Sequence, residues 1–285
     1  MRGADDLPAL PSPTRYRFII ITTDTRPRVF YYAMEYLEGI SLKELVEEYG
    51  AQPENRIIHI LRQICASLRE AHEAHLVHRD MKPVNVFLCG RGGVLDTVKV
   101  LDFGLVMSCQ EFGKRGKSKK HPKSMTGTPQ FFSPKAIESP HTVDQRSDLY
   151  SLGALSYFLL TGLHMFAGET AREICEKQVS ESPPAAAERV NRSYCPHLEA
   201  AIMKCLEKKP ELRPQSSNDF LKMLEASASA WSWTDEMASE WWASHQVRSR
   251  IVKHSCQLDA TARMQLTIRI DIERRYEDGY DSESS

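Results

Sequence analysis

No uncharged apolar run in the 285 residues approaches the ~18 that a membrane-spanning helix requires, so no span is expected. The first residues, MRGADDLPALPSP, contain two early aspartates and three prolines and lack the basic-then-apolar profile of a secretion signal. There is no CxxC pair. The seven cysteines (Cys65, Cys89, Cys109, Cys175, Cys195, Cys205 and Cys256) are scattered and odd in number. That argues against a disulfide frame or a cysteine zinc site and for reduced thiols. A formal net charge of -1 gives no electrostatic reason to expect nucleic acid or an anionic membrane as a partner. Together these absences predict a soluble, cytoplasmic protein. At 41% hydrophobic and 26% charged residues, the chain can bury one sizeable core or two modest ones.

Residues 1–15 read as a flexible leader. Arg17–Ile21 and Val29–Tyr36, rich in β-branched and aromatic residues, read as two strands joined by a turn near Thr25–Pro27. Ser41 and Glu44 fit a capping box for a short helix. Pro53 can open a longer one, with Ile57, Leu61, Ile64, Leu68 and Ala71 at helical spacing and an end near His75. Val84–Leu88 and Val98–Leu101 read as short strands around the turn CGRGG. Gly104–His121 is polar and basic and reads as a solvated loop. From Ser147, Leu149, Leu152, Leu155 and Leu159 form an apolar stripe that Gly162 ends. Further helices are expected near 170–178, 197–208 and 216–226. The tail holds all four tryptophans (Trp231, Trp233, Trp241 and Trp242), then the alternating MQLTIRIDI, then an acidic, serine-rich end. The tryptophans read as a tail packed on the body in preference to a docking motif, and MQLTIRIDI as a strand that needs a partner edge.

The stretch HRDMKPVNVF, His78–Phe87, places an aspartate, a lysine and an asparagine within six residues. Transfer of a phosphoryl group to a hydroxyl requires that set: a carboxylate to orient the hydroxyl and take its proton, a cation to offset charge, and oxygen ligands for Mg²⁺. Asp80, Lys82 and Asn85 supply one of each, and Asp102 in VKVLDFG adds a second oxygen ligand of the kind a hard cation prefers.

HRDMKPVNV and DFG resemble the catalytic and metal-binding loops of the protein kinase superfamily, and the lysine two residues after Asp80 is the serine/threonine form. Four other segments resemble family motifs in the family's order. YYAMEYLEG is similar to the last small-lobe strand and the adenine-binding hinge. GTPQFFSPK is similar to the segment that receives the protein substrate. DQRSDLYSLG is similar to the start of the large lobe's central helix, and KKPELRP to a late large-lobe patch. AMEYLEGISL, RSDLYSLGAL and the tryptophan-rich tail look most like bacterial Ser/Thr kinases. The resemblance covers about residues 16–226.

It implies an α+β, protein-kinase-like fold: a mostly helical large lobe (38–228), an incomplete β small lobe with hinge (16–37) and a C-terminal extension (229–285). The implied cofactors are ATP and Mg²⁺, and the implied partner is a protein substrate with a Ser/Thr acceptor. Asp80 would accept the hydroxyl's proton and Lys82 would contact the transferred group. Asn85 and Asp102 would hold the metal. The backbone at Glu35–Leu37 would bond the adenine edge, with Met34 in the same nucleotide-binding set, and Phe87 would lie beneath the adenine where the family usually has leucine. Thr128 would bond Asp80 and Lys82. Asp148 would accept backbone N–H bonds from the catalytic loop. Arg79 could pair with a phosphate on the loop, with Thr126 the first candidate site and Ser124 the second. His72, His75 and His78 do not share one helical face, which argues against a metal site.

The sequence also departs from the family. It has no G-x-G-x-x-G loop, no lysine before Lys43 and no helix glutamate to pair with one; 34 positions precede Glu35. Losing those contacts removes several charge-assisted bonds worth ~1.5–3 kcal/mol each, so little turnover is expected from this chain alone. Lys135 stands where the family has a glutamate paired with the arginine that Arg213 matches, so a less firmly anchored substrate segment is expected, with Glu138 as a substitute partner. Two readings follow. One is a Ser/Thr protein kinase whose small lobe is supplied elsewhere, by a complementing lobe or a regulatory protein. The other is a non-catalytic, pseudokinase-like scaffold.

Overall fold

The computed structural model describes residues 19–22, 30–33, 37–91, 93–101, 128–228 and 232–245. Strand β1 (Ile19–Thr22) pairs antiparallel with β2 (Phe30–Ala33), with Ile19 opposite Ala33 and Thr22 opposite Phe30. β2 lies inside the second run read as a strand, and β1 overlaps the first but extends one residue past it, to Thr22. The leader, the basic loop, Thr126, Ser124 and MQLTIRIDI fall outside the described residues.

A second sheet has the order β3 (Gly39–Ser41), β4 (Val86–Arg91), β5 (Val94–Val100), all antiparallel. Gly39 is required there, because a Cβ would sit 2.1 Å from the Leu88 carbonyl oxygen on the neighbouring strand. The hairpin differs from its sequence reading at both ends. Pro83–Asn85 forms a 3₁₀ turn, so β4 begins two residues later than expected. Pairing also runs through the glycine-rich stretch by way of an irregularity between Cys89 and Arg91, and the ladder is longer than the apolar run implied.

Ser41 caps helix α1 (Leu42–Tyr49): its hydroxyl accepts from Glu44 N at 3.2 Å and Glu44 Oε2 accepts from Ser41 N at 2.9 Å, completing the capping box. Helix α2 (Glu54–Glu73) follows Pro53, which caps the helix instead of occupying its first turn, and all five predicted stripe residues are fully buried. Beyond the 3₁₀ turn at Pro129–Phe131 come α3 (Pro134–Glu138), α4 (Gln145–Thr161), α5 (Ala171–Ser180), α6 (Ala186–Val190), α7 (Pro196–Cys205), α8 (Ser217–Ala228) and α9 (Asp235–Ser244). The short α3 and α6 and the tail helix α9 carry too little periodicity to stand out in the sequence.

Helix α4 is the axis of the core. The leucine stripe is only part of its buried surface, because Ser147 through Thr161 are buried on every side. Its polar members bond locally: Ser156 Oγ donates to Leu152 O at 2.7 Å and Thr161 Oγ1 to Tyr157 O at 2.8 Å. Gly162, at φ 75°, ends the helix in the left-handed region and its N–H bonds Phe158 O at 2.8 Å. The described cysteines are all free thiols. Among the described residues no helix is long and apolar enough to cross a membrane, and no His/Cys/Asp/Glu cluster could hold a metal ion by itself.

Candidate functional site

Between the end of α2 and the start of β4 the chain makes a loop, 78–85, that two distant elements hold in place. Asp148, in the first turn of α4 and fully buried, accepts three bonds at 2.8 Å: His78 N and His72 Nε2 on Oδ2, and Arg79 N on Oδ1. Those bonds hold Arg79 at φ 67°, a left-handed conformation that a residue with a Cβ adopts at a cost.

The second tether is His78, also fully buried. Its Nε2 lies 2.9 Å from Leu101 O, and its Nδ1 lies 3.3 Å from Asp80 N. A carbonyl can only accept and an amide N–H only donate, so the proton sits on Nε2. Leu101 N in turn donates to Asn85 O at 2.7 Å. Both backbone groups of Leu101, the residue before Asp102, are therefore bonded to the loop.

Inside the loop three predicted residues meet. Asp80 Oδ2 accepts from Lys82 Nζ at 2.7 Å and from Asn85 Nδ2 at 3.0 Å, and Asn85 Nδ2 also donates to Asp80 O at 2.9 Å. The Asp80 and Lys82 side chains are 14% and 17% exposed, enough shielding to strengthen the pair while leaving it reachable. Asp80 Oδ1 and Asn85 Oδ1 accept no hydrogen bond among the described residues. The loop thus offers a fixed carboxylate oxygen and a fixed amide oxygen, with a cation beside them.

The other predicted positions are distributed as follows. Phe87 is buried on β4, opposite Ser41 on β3 and Lys99 on β5. Leu37 is half-buried just ahead of β3. Met34, Glu35 and Asp102 lie outside the described residues. Thr128 begins the 3₁₀ turn, its carbonyl accepting from Phe131 N at 3.1 Å. Its hydroxyl makes no bond to Asp80 or Lys82 among the described residues; the lysine reaches the aspartate directly.

The segment after Thr128 is better anchored than the sequence suggested. Ser151 Oγ donates to Phe131 O at 2.7 Å, and Gln178 Nε2 donates to Gln130 O at 2.6 Å. Lys135 turns away from Arg213 and pairs with Asp144 at 2.9 Å, alongside Arg146 at 2.7 Å. Burial acts to raise the Asp144 pKa, but bonds from Arg146 and Lys135 override it and hold the carboxyl well below the usual range. Arg213 needs no carboxylate, since it donates to the carbonyls of Glu207, Lys208 and Arg146 at 2.7, 2.8 and 3.0 Å. Glu138 is exposed and does not replace the expected partner.

Sequence reasoning missed the Leu101 tethers and a buried ion pair, Arg56–Asp96. The only sequence signal for the pair is an aspartate inside a β-type run, at the kind of position where Asp tolerates the left-handed φ of 55° found here.

The protein kinase domain family matches residues 16–228. The chain belongs to that family. Its similarity to curated kinases points the same way. It is 34% identical over 197 residues to the serine/threonine-protein kinase pkn3 of Myxococcus xanthus, covering 69% of this chain and 36% of that protein. It is 33% identical over 208 residues to the probable serine/threonine-protein kinase CPE1738 of Clostridium perfringens, covering 72% and 28%. With serine/threonine-protein kinase PknB of Mycolicibacterium smegmatis it shares 33% identity over 190 residues, 67% of this chain and 29% of that one. The chain thus spans about a third of the length of the curated relatives it matches. The mostly helical lobe around α2 and α4, with its two small sheets, is the kinase-like fold the motifs implied.

Proposed function

We propose that residues 38–228 are the large lobe of a bacterial-type, cytoplasmic serine/threonine protein kinase. Residues 16–37 then contribute small-lobe strands and hinge, and 229–285 form an extension. The observation that carries this reading is the Asp80–Lys82–Asn85 cluster, with two oxygens that accept no hydrogen bond among the described residues, in a loop bonded to the residue before Asp102.

In the proposed reaction a protein Ser or Thr hydroxyl attacks the γ-phosphoryl group of ATP, its proton passes to the Asp80 carboxylate, and ADP leaves. Lys82 offsets charge on the transferring group, and the two bonds to Asp80 Oδ2 aim Oδ1 at the hydroxyl. An amide oxygen at Asn85 and the carboxylate of Asp102 are a donor set suited to Mg²⁺, which when bound neutralises phosphate charge. Phe87 and Leu37, with Met34 and Glu35, take the adenine, and Thr128 lies at the acceptor side. The glycine-rich loop and the anchoring lysine are absent from these 285 residues, so a complementing small lobe or regulatory protein supplies them.

That same absence favours a second reading, a pseudokinase-like scaffold that binds partners without chemistry. A melting measurement separates the two. Under the first, Mg-ATP raises the melting temperature of the chain, and Asn85→Ala removes the rise while Asp80→Asn keeps it. Phosphorylation of a generic basic protein by the chain alone is expected well below ~1 s⁻¹ and is abolished by Asp80→Asn. No nucleotide-dependent shift in the unmodified chain would decide for the scaffold.

A further inference from the structure

The Asp96 carboxylate, fully buried, is met by four N–H donors. Arg56 Nε and Nη2 each lie at 2.8 Å, on Oδ2 and Oδ1. The other two come from the tail: Trp233 Nε1 to Oδ2 at 2.9 Å and Trp242 Nε1 to Oδ1 at 2.7 Å. A carboxylate has about four lone-pair sites, and here all are used. Trp241 covers the face of the Arg56 guanidinium, 3.6 Å from Cζ to its ring centroid, and meets the Tyr49 ring edge-on at 5.1 Å. The third edge of Arg56 is fixed by Gln52 Oε1 at 2.9 Å.

The seat and the helix it holds are unequal partners. Arg56 and Asp96 come from α2 and β5, inside the matched kinase region; α9 lies beyond its end at residue 228. Of the ten residues of α9 only Ala238 is fully buried; Trp241 and Trp242 are half-buried against the core, so these two indoles and their contacts with the seat are what hold the helix down. A ten-residue helix is not stable by itself in water. If α9 left, Arg56 would still pair with Asp96 and water would take the two lone pairs the indoles vacate. Both states satisfy every polar group of the seat, unlike a core helix whose departure strands them.

We propose that Arg56, Asp96, Gln52 and Tyr49 form a docking seat specific for a tryptophan-bearing helix, filled in this chain by its own residues 232–245 acting as a releasable latch. Specificity comes from geometry: two indole N–H groups on one carboxylate and one indole face on the guanidinium. Phenylalanine can supply the face but neither donor.

All four tryptophans lie between 231 and 242, so the tryptophan emission of the whole chain reports on this segment alone. In urea, that emission is expected to shift red, and the tryptophans to become accessible to acrylamide, before far-UV circular dichroism falls. The second test uses the full chain carrying Trp233→Phe and Trp242→Phe. Two lost bonds to a charged acceptor weaken the latch by about tenfold or more each. A fluorescein-labelled peptide of residues 230–246 is therefore expected to bind the double variant by polarisation at least tenfold more tightly than the unmodified chain, whose seat is filled. Urea transitions that coincide by emission and dichroism overturn the latch, and this comparison needs no substitution. A folded double variant that gains no peptide binding overturns the seat.

Discussion

Both carboxylate oxygens of Asp148 are committed to the loop and to His72, with no exposure to water. Asp148→Ala would leave two backbone N–H groups buried without a partner and free Arg79 to leave its left-handed conformation. An expected loss of about 3–5 kcal/mol follows, read by urea unfolding. The residue was legible in advance because the family motif DQRSDLYSLG names it. Lys135 was not: a lost pair with Arg213 and a loosely anchored substrate segment were the expectation, and it failed because Arg213 found carbonyls and Lys135 found Asp144, nine positions on. The consequence inverts the usual repair. Lys135→Glu, which restores the family's residue, would set a carboxylate against Asp144 and is expected to lower stability by about 1 kcal/mol, measured in the same way. Lys208 tests pH. Burial, then the neighbouring Arg213, pulls its ammonium down to about 8, against an ordinary 10.5. The unfolded chain therefore binds more protons than the folded one between about pH 8 and 10.5, and the penalty on the folded state, full below pH 8, fades as pH rises through that window. The stability of Lys208→Met relative to the unmodified chain should be highest at pH 7 and decline toward pH 10, compared by urea midpoints.

Periodicity located α2 and α4, because each turns an apolar face inward at helical spacing; the capping box located α1, and the helices expected near 170–178, 197–208 and 216–226 correspond to α5, α7 and α8. It understated α4, whose far side is covered by other elements. Wrapping of that kind leaves no mark on a one-sided stripe. It shows instead in glycine: a Cβ on Gly153 would meet the Cys205 Cβ at 2.7 Å and Leu206 at 3.1 Å, so α4 and the end of α7 approach through its missing side chain. Gly153→Ala is a good helix substitution in isolation and is expected to cost about 1–3 kcal/mol here through overpacking, seen as a lowered melting temperature with unchanged far-UV dichroism at 20 °C. Strand ends were less legible than helices. The hairpin's extent depends on pairing across its glycine turn, and β3 exists because Gly39 lets it lie against Leu88.

Across the molecule, what the residues disclosed by themselves sits close together in the chain: Asp80, Lys82 and Asn85 are five residues apart at most, and chemistry dictates all three, whereas the distant Asp148 tether was legible only through the family resemblance. What they withheld joins distant residues. Asp96 meets Trp233 and Trp242 across 137 and 146 positions, and no local pattern announces such a pairing. Stability should be graded accordingly. In native-state hydrogen exchange, amides of α2 and α4, buried in the centre, are expected to be the slowest, and those of α9 to exchange orders of magnitude faster. Protection of α9 equal to that of α4 would contradict the grading. The tethering of Leu101 sets a rule for anyone exchanging parts between such chains. Its N–H answers to Asn85 and its carbonyl to His78, so the 78–85 loop and the β5 strand behave as a single cassette. A chimaera that imports the loop without the strand would replace two matched backbone bonds with mismatched ones, whereas one that moves both together carries its own alignment with it.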